Sequence, residues 1–375
     1  MTSKKLTFSF TLLMCATSLG LVLMNRMATS ASANSLMQQQ AQSDQPVEKT
    51  RKNIQVLKGL PESQLFPLMN FVSTSLGVKC DYCHVKNGDN WVWESDDKDA
   101  KQSGRYMMKM VLEINKTNFD RDTAVTCYTC HRGSTVVARL PSLPPHDSVR
   151  NEAALPTADQ VLAKYFAAVG GKDVAAKLKT TVMKGTLEFD RDPKERNGQI
   201  EVTVKGPDRY LITRTTPQGV ATLTVTGQAA WIKTGNGSRN LSGHDLELTR
   251  RGAVAFYSPI KVVDQPAQMK VLGTEKIGDR ETYVLALVID PDTTTKFFFD
   301  TQTGLLLRQL TTTRTMLAPL PEQVDFEDYK DVDGVKLPFT IRSSDTATYS
   351  TTTRKFTEIK HNVAVDDNLF TAAPR

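Results

Sequence analysis

The sequence predicts an α+β chain, in which a small helical segment precedes a mostly antiparallel β segment with one or two helices, curved into a half-barrel. Three observations carry that reading. Apolar residues before about residue 139 recur at intervals of three and four, whereas those after about residue 180 alternate at intervals of two. Between the two patterns runs a stretch with Pro141, Pro144, Pro145 and Pro156, which reads as a semi-rigid link.

The chain has 375 residues, with room for two domains, and its 39% hydrophobic and 23% charged residues are ordinary for a soluble protein. A formal charge of +6 is small and spread out. It is compatible with an acidic redox partner and gives no argument for nucleic acid.

Lys4 and Lys5 precede an uncharged run from Leu6 to Met24, and Ala31-Ser32-Ala33 follows. Residues 1–33 therefore read as a secretory signal cleaved after Ala33, or as an uncleaved N-terminal anchor, because the run is long enough to span a bilayer. Cys15 lies deep inside that run and reads as leader sequence. Export puts the rest of the chain on the periplasmic side. Residues 34–53, rich in Gln, Ser, Ala and Lys, read as a flexible tether.

Residues 54–139 carry the chemistry. Cys80-Asp81-Tyr82-Cys83-His84 and Cys127-Tyr128-Thr129-Cys130-His131 are two copies of C-x-x-C-H, and they contain every cysteine outside the N-terminal run. Two thiols at this spacing can add to the two vinyl groups of one haem, which leaves the adjoining imidazole against the iron. The motifs thus predict two covalently attached haem c groups, held by Cys80, Cys83, Cys127 and Cys130, with His84 and His131 as proximal ligands. A four-thiolate zinc site is the alternative. It leaves both histidines unexplained and needs an unusually long spacing, and two disulfides or a redox pair do not need the histidines either.

A helix is expected ahead of each motif. Leu65, Leu68, Met69, Val72 and Leu76 draw one apolar face closed by Gly77, with the boundary near Phe66 or Pro67. Tyr106, Met107, Met110, Val111 and Ile114 draw a second. Asn87 to Lys101, between the units, reads as a solvated loop in which Trp91 and Trp93 pack on a haem edge or fill a core. The remaining histidines, His146, His244 and His361, lie outside both helices, so methionine is the candidate for each second axial position. Met69, Met107, Met108 and Met110 are all candidates, and packing is the competing role of each.

Three stretches, Leu68 to Cys80, Arg105 to Asn115 and Val125 to Gly133, resemble the cytochrome subunit of photosynthetic reaction centres. The resemblance implies repeated helix, turn and C-x-x-C-H units, with Met69 as distal ligand in the first and Met107 in the second. It departs from the family in having two attachment sites where four are typical, and in lacking a histidine near Asp122 that would serve a further haem.

Residues 157–375 open with a helix capped by Thr157 or Asp159, running through Val161, Leu162, Tyr165, Phe166 and Val169 to Gly170-Gly171. Strands follow at Val182–Phe189, Ile200–Val204, Tyr210–Thr213, Val220–Val225, Tyr283–Ile289, Lys296–Phe299, Leu305–Leu310 and Val335–Ile341. Phe298 to Leu306 and Tyr329 to Pro338 resemble periplasmic lipoprotein-carrier domains, whose half-barrel can hold a hydrophobic ligand. His244 beside Asp245 reads as a surface turn, and the segment shows no catalytic constellation.

The function expected is single-electron transfer by a dihaem c-type cytochrome serving redox partners, some of them in the membrane. A haem enzyme of peroxidase or reductase type with one open distal site is the second class. A hydrophobic-ligand carrier with a haem module attached is the third. Bond chemistry is not required by any motif in the sequence.

Overall fold

The computed structural model describes residues 44–137, 155–171, 178–206, 208–227, 229–257, 269–345 and 350–371. The leader or anchor, the first part of the tether and the Pro-rich link up to residue 154 lie outside them. Pro46–Arg375 forms one compact unit.

The tether expected through Asn53 is tied down sooner. Val47–Thr50 is a single helical turn, α1, in which Val47 is fully buried and its N–H donates to the Leu60 carbonyl at 2.8 Å. Val47, Leu57 and Leu60 are three apolar anchors in an otherwise polar stretch, and a composition window averages them away.

Helix α2, Glu62–Leu76, starts earlier than its apolar periodicity suggested, so Pro67 lies in its second turn rather than its first. Its buried side is Pro67, Leu68 and Ser75. Gly77 then takes the left-handed conformation at φ 66°, with its N–H on the Thr74 carbonyl and the Val78 N–H on the Ser73 carbonyl. Helix α3, Asp99–Asn118, buries a face rotated from the one expected: Val111 is buried and Ile114 half-buried as expected, but Asn115 is buried and Met108 and Leu112 half-buried where Tyr106, Met107 and Met110 are exposed. Both rows obey the three-and-four spacing, so periodicity alone could not choose between them. Helix α4, Cys127–His131, is the second motif itself. Between α2 and α3 lies a hairpin of β1, Val85–Asn87, and β2, Asn90–Val92.

The rest is built on helix α5, Ala158–Ala168, with Thr157 as its N-cap, and on an antiparallel sheet of 13 strands. These are β3 Thr180–Phe189, β4 Gly198–Lys205, β5 Arg209–Thr216, β6 Gly219–Thr226, β7 Ala229–Thr234 and β8 Gly237–Asn240, then β9 Met269–Ile277, β10 Arg280–Asp290, β11 Thr293–Asp300, β12 Leu306–Arg314, β13 Pro319–Val332, β14 Val335–Asp345 and β15 Ser350–His361. Helix α6, Pro193–Arg196, interrupts β3 and β4, and helix α7, Gly243–Tyr257, follows β8. All eight strands expected from alternation lie within this sheet, whereas β7, β8, β9, β13, β15 and α7 were not foreseen. His244 sits at the start of α7 and not in a turn.

Two meanders make the sheet, one running outward from β3 to β8 and one inward from β9 to β15, and β3 pairs with β15 at the junction. Along β11 the buried residues Thr293, Thr295, Phe297 and Phe299 alternate to one face. Helix α5 lays Val161, Leu162, Tyr165 and Phe166 into the apolar end of that face, where the Tyr165 and Phe299 rings meet at 5.2 Å. The other end is lined with hydroxyls, including the Thr295–Thr311 pair at 2.9 Å.

A second apolar core joins the helical segment to the sheet. Val47, Leu57, Leu60, Leu68 and Val111 pack with Leu317, Ala318 and Leu320 from the β12–β13 corner. That corner is held by Thr315, whose hydroxyl donates to the Ala318 carbonyl at 2.7 Å.

Candidate haem-binding site

Each cysteine motif is shaped by its own backbone. After Gly77, Cys80–Tyr82 form a tight turn, and the His84 N–H donates to the Cys80 carbonyl at 2.9 Å. One cavity of about 380 Å³, mainly apolar in lining, is bounded by Cys80, Cys83, His84, Met69, Met108 and Trp93, among others. Two thiols, an imidazole and two thioethers thus face one space. Burial raises the Cys83 thiol pKa and is the first cause lowering that of His84, with Lys101 next, so both groups favour their neutral forms.

The second motif stands at the end of a separately braced loop. The buried Asn115 side chain donates to the Val125 carbonyl at 2.8 Å and accepts from the Val125 N–H at 2.9 Å, which fixes the approach to Cys127. The Thr126 N–H donates to the Thr129 hydroxyl at 3.0 Å, closing the first turn of α4. His131 Nδ1 donates to the Ser134 carbonyl at 2.9 Å. Cys127 is half-buried and its thiol pKa is raised by burial, while Cys130 and Tyr128 are exposed.

The two units touch directly. The Gly133 N–H donates to the Ser75 carbonyl at 2.8 Å, and a Cβ at Gly77 would lie 2.2 Å from the Gly133 oxygen. Gly77 is therefore needed for the end of α2 to meet the turn after α4, whereas at Gly133 it is the left-handed backbone, φ 85°, that favours glycine.

Met69 lines one cavity with Cys80, Cys83 and His84. Met107 does not line that cavity and is 44% exposed on the outer face of α3, alongside Met110. Met108, which the resemblance does not pick out, lines the first cavity. Asn115 closes the second resembling stretch, and its bracing role becomes visible only in its burial and its two bonds to Val125. Asp122, where the family pattern would carry histidine, lies 3.7 Å from Arg314 at the sheet corner. The four cysteines form no disulfide, and among the described residues no three His, Cys, Asp or Glu side chains converge as metal ligands. The donor chemistry of the first cavity, two thiols with an imidazole and a thioether, fits a covalently held haem.

Away from the motifs, a smaller cavity of about 280 Å³ lies between α7 and the sheet, lined by Tyr210, Val225, Arg251, Val254, Gln309 and Thr311 among others. No described helix is long and apolar enough to cross a membrane.

Residues 20–170 match the family described as the photosynthetic reaction centre cytochrome C subunit. The chain is 39% identical over 89 residues to the photosynthetic reaction center cytochrome c subunit of Thermochromatium tepidum, a match covering 23% of this chain and 21% of that protein. It is 34% identical over 88 residues to cytochrome c-554 of Chloroflexus aurantiacus, covering 22% and 20%. The chain spans about a fifth of the length of these curated relatives. Among solved structures, a LolA superfamily protein from Nitrosomonas europaea aligns over 58% of this chain and 99% of its own at 14% identity, with a TM-score of 0.40. A DUF1329 family protein from Desulfovibrio piger aligns over 58% and 98% at 13%, with a TM-score of 0.42. The segment bearing both C-x-x-C-H motifs is thus similar in sequence to the cytochrome c subunit of photosynthetic reaction centres.

Proposed function

We propose that the chain is a dihaem c-type cytochrome that carries single electrons on the periplasmic side of the membrane, between redox partners that include membrane-bound ones. The observation that supports this most is the grouping of Cys80, Cys83, His84 and Met69 around one mainly apolar cavity. When bound, haem supplies a one-electron couple between ferrous and ferric iron. Cys80 and Cys83 would hold the first haem by thioether bonds, with His84 and Met69 supplying its iron with ligands. Cys127, Cys130, His131 and Met107 would hold the second. The mainly apolar lining and the neutral thioether both favour the ferrous state. The Gly77–Gly133 contact keeps the two units adjacent, which suits transfer between them.

A second reading, a haem enzyme with an open distal position, is favoured by the 44% exposure of Met107. Redox titration and absorbance of the purified protein and its Met69→Ala and Met107→Ala variants separate the two. Loss of the Met-to-ferric-iron band and a lowered potential at one haem in each variant is the expected result. Rapid carbon monoxide binding by the unaltered protein at one iron would favour the enzyme. The sheet is the candidate holder of a hydrophobic ligand, in the cavity beneath α7. Lipid extracted from the purified full chain in stoichiometric amount is the expected sign of that role, and a ligand-free preparation would remove it.

A further inference from the structure

His84 and His131 occupy the same place in their motifs, yet their rings are held differently. A ligating histidine usually gives its second ring N–H to a carbonyl or carboxylate, which fixes the tautomer and the plane of the ring. His131 does so through Ser134. His84 Nδ1 is buried with no hydrogen-bond partner. The Trp93 carbonyl acts on the ring charge, third after burial and Lys101, without a hydrogen bond of ordinary geometry.

A ring contact takes the place of that bond. The hairpin after His84 turns at Gly88 and pairs Lys86 with Trp91 and Val85 with Val92, which returns Trp91 and Trp93 to the same side. Trp93 meets the His84 ring edge-on at 5.1 Å and 69°. It is itself held on three sides: stacked on Trp91 at 4.6 Å and 13°, against the edge of Phe66 at 5.9 Å, and by Lys101 Nζ, which donates to its carbonyl at 2.9 Å. Lys101 is fixed in turn by Asp96 at 3.1 Å, and Asn53 donates to the same carboxylate at 2.9 Å. A tryptophan left 37% exposed is not filling a core, and a brace of this kind is more than core filling would need.

We propose that the Trp93 ring sets the plane of the His84 imidazole, and that Trp93 is therefore a positioning residue of the first site. This rests on the reading of His84 as a proximal haem ligand. Trp91 and Phe66 act through Trp93, and the Asn53–Asp96–Lys101 chain holds the backbone beneath it.

The test uses the full-length protein loaded with haem. The pyridine haemochrome and the mass of the tryptic peptide containing Cys80 and Cys83 are measured first, and a haem-free peptide there would overturn the ligand reading regardless of Trp93. With haem present, W93F and W93L are compared by the paramagnetic NMR shifts of the haem methyls, which report the plane of the axial imidazole, and by redox titration. W93L is expected to change the methyl pattern of one haem and its reduction equilibrium constant by about tenfold, or ~59 mV for one electron. W93F is expected to restore both, and the His131 haem to stay unmoved in both variants. An unchanged methyl pattern in W93L, or equal shifts at both haems, would overturn the proposal. If W93L fails to take up haem, W91L removes only the stack beneath Trp93. A shift confined to the same haem supports the proposal, and none overturns it.

Discussion

At the scale of single residues, the histidines of the two motifs differ in what faces their Nδ1 atoms. An imidazole that donates to a carbonyl is the stronger electron donor and stabilises ferric iron. His131 donates to Ser134, His84 Nδ1 has no such bond, and Cys130 is exposed where Cys83 is half-buried. The site built on His84 is therefore expected to have the higher potential of the two. Titration of the Met69→Ala variant checks it, since the transition that moves should be the upper one.

Glu322 gives a second test, on stability. Its side chain lies on β13 with Arg251 at 3.5 Å and Asp345 on the paired strand, and burial, opposed by Arg251 and reinforced by Asp345, raises its pKa to about 7. The folded protein then binds this proton more tightly than the unfolded chain, whose value is 4.5. Stability is accordingly expected to fall as pH rises between those values, at up to ~1.4 kcal/mol per unit for this one group. Denaturant midpoints should show that slope in the parent and a shallower one in Glu322→Gln. The Met107 and Met108 assignments show where sequence was legible at this scale and where it was not. Two methionines one position apart lie about 100° apart on a helix, and only the partner surfaces decide which one turns inward.

At the scale of elements, α2, α3, α5 and eight strands were legible because each carries an apolar period of its own. Much of the rest was not. Helix α7 mixes Glu, Thr and Arg through its apolar residues, and β15 reads Ser-Thr-Thr-Thr-Arg-Lys because it crosses the hydroxyl-lined end of the sheet. Strand β13 carries an acidic outer row, and the pattern resembles a loop until its neighbours are known. The buried bracing of the second motif was equally hidden, since Asn115 acts through Val125 in the loop beyond its helix. Asn115→Ala removes both bonds and leaves the Val125 groups unpaired, at ~1–3 kcal/mol. Thermal unfolding should register the loss, and peptide mass should show less haem on Cys127 and Cys130 than on Cys80 and Cys83. Gly77→Ala is expected to cost more, above ~2 kcal/mol, because a left-handed backbone and a 2.2 Å approach to Gly133 coincide there.

At the scale of the whole molecule, the helical segment and the sheet meet through Leu317 and Ala318, both fully buried. Leu317→Ala is expected to cost ~2–5 kcal/mol. Haem absorbance and far-ultraviolet circular dichroism should follow one unfolding transition in the parent and separate in the variant. None of this was visible in sequence, where Thr-Met-Leu-Ala-Pro-Leu at residues 315–320 has no period and its partners lie some 200 residues away.

The pairing of β3 with β15 also bears on the order of assembly. Strand β3, at the middle of the sheet, waits for β15, which follows it by roughly 160 to 180 positions, so neither meander acquires its inner neighbour until both have been made. The residues that close the second core over α2 and α3 emerge late as well, from 317 onward. Both cysteine motifs lie well ahead of those residues in the chain and emerge without the surface that later covers their helices.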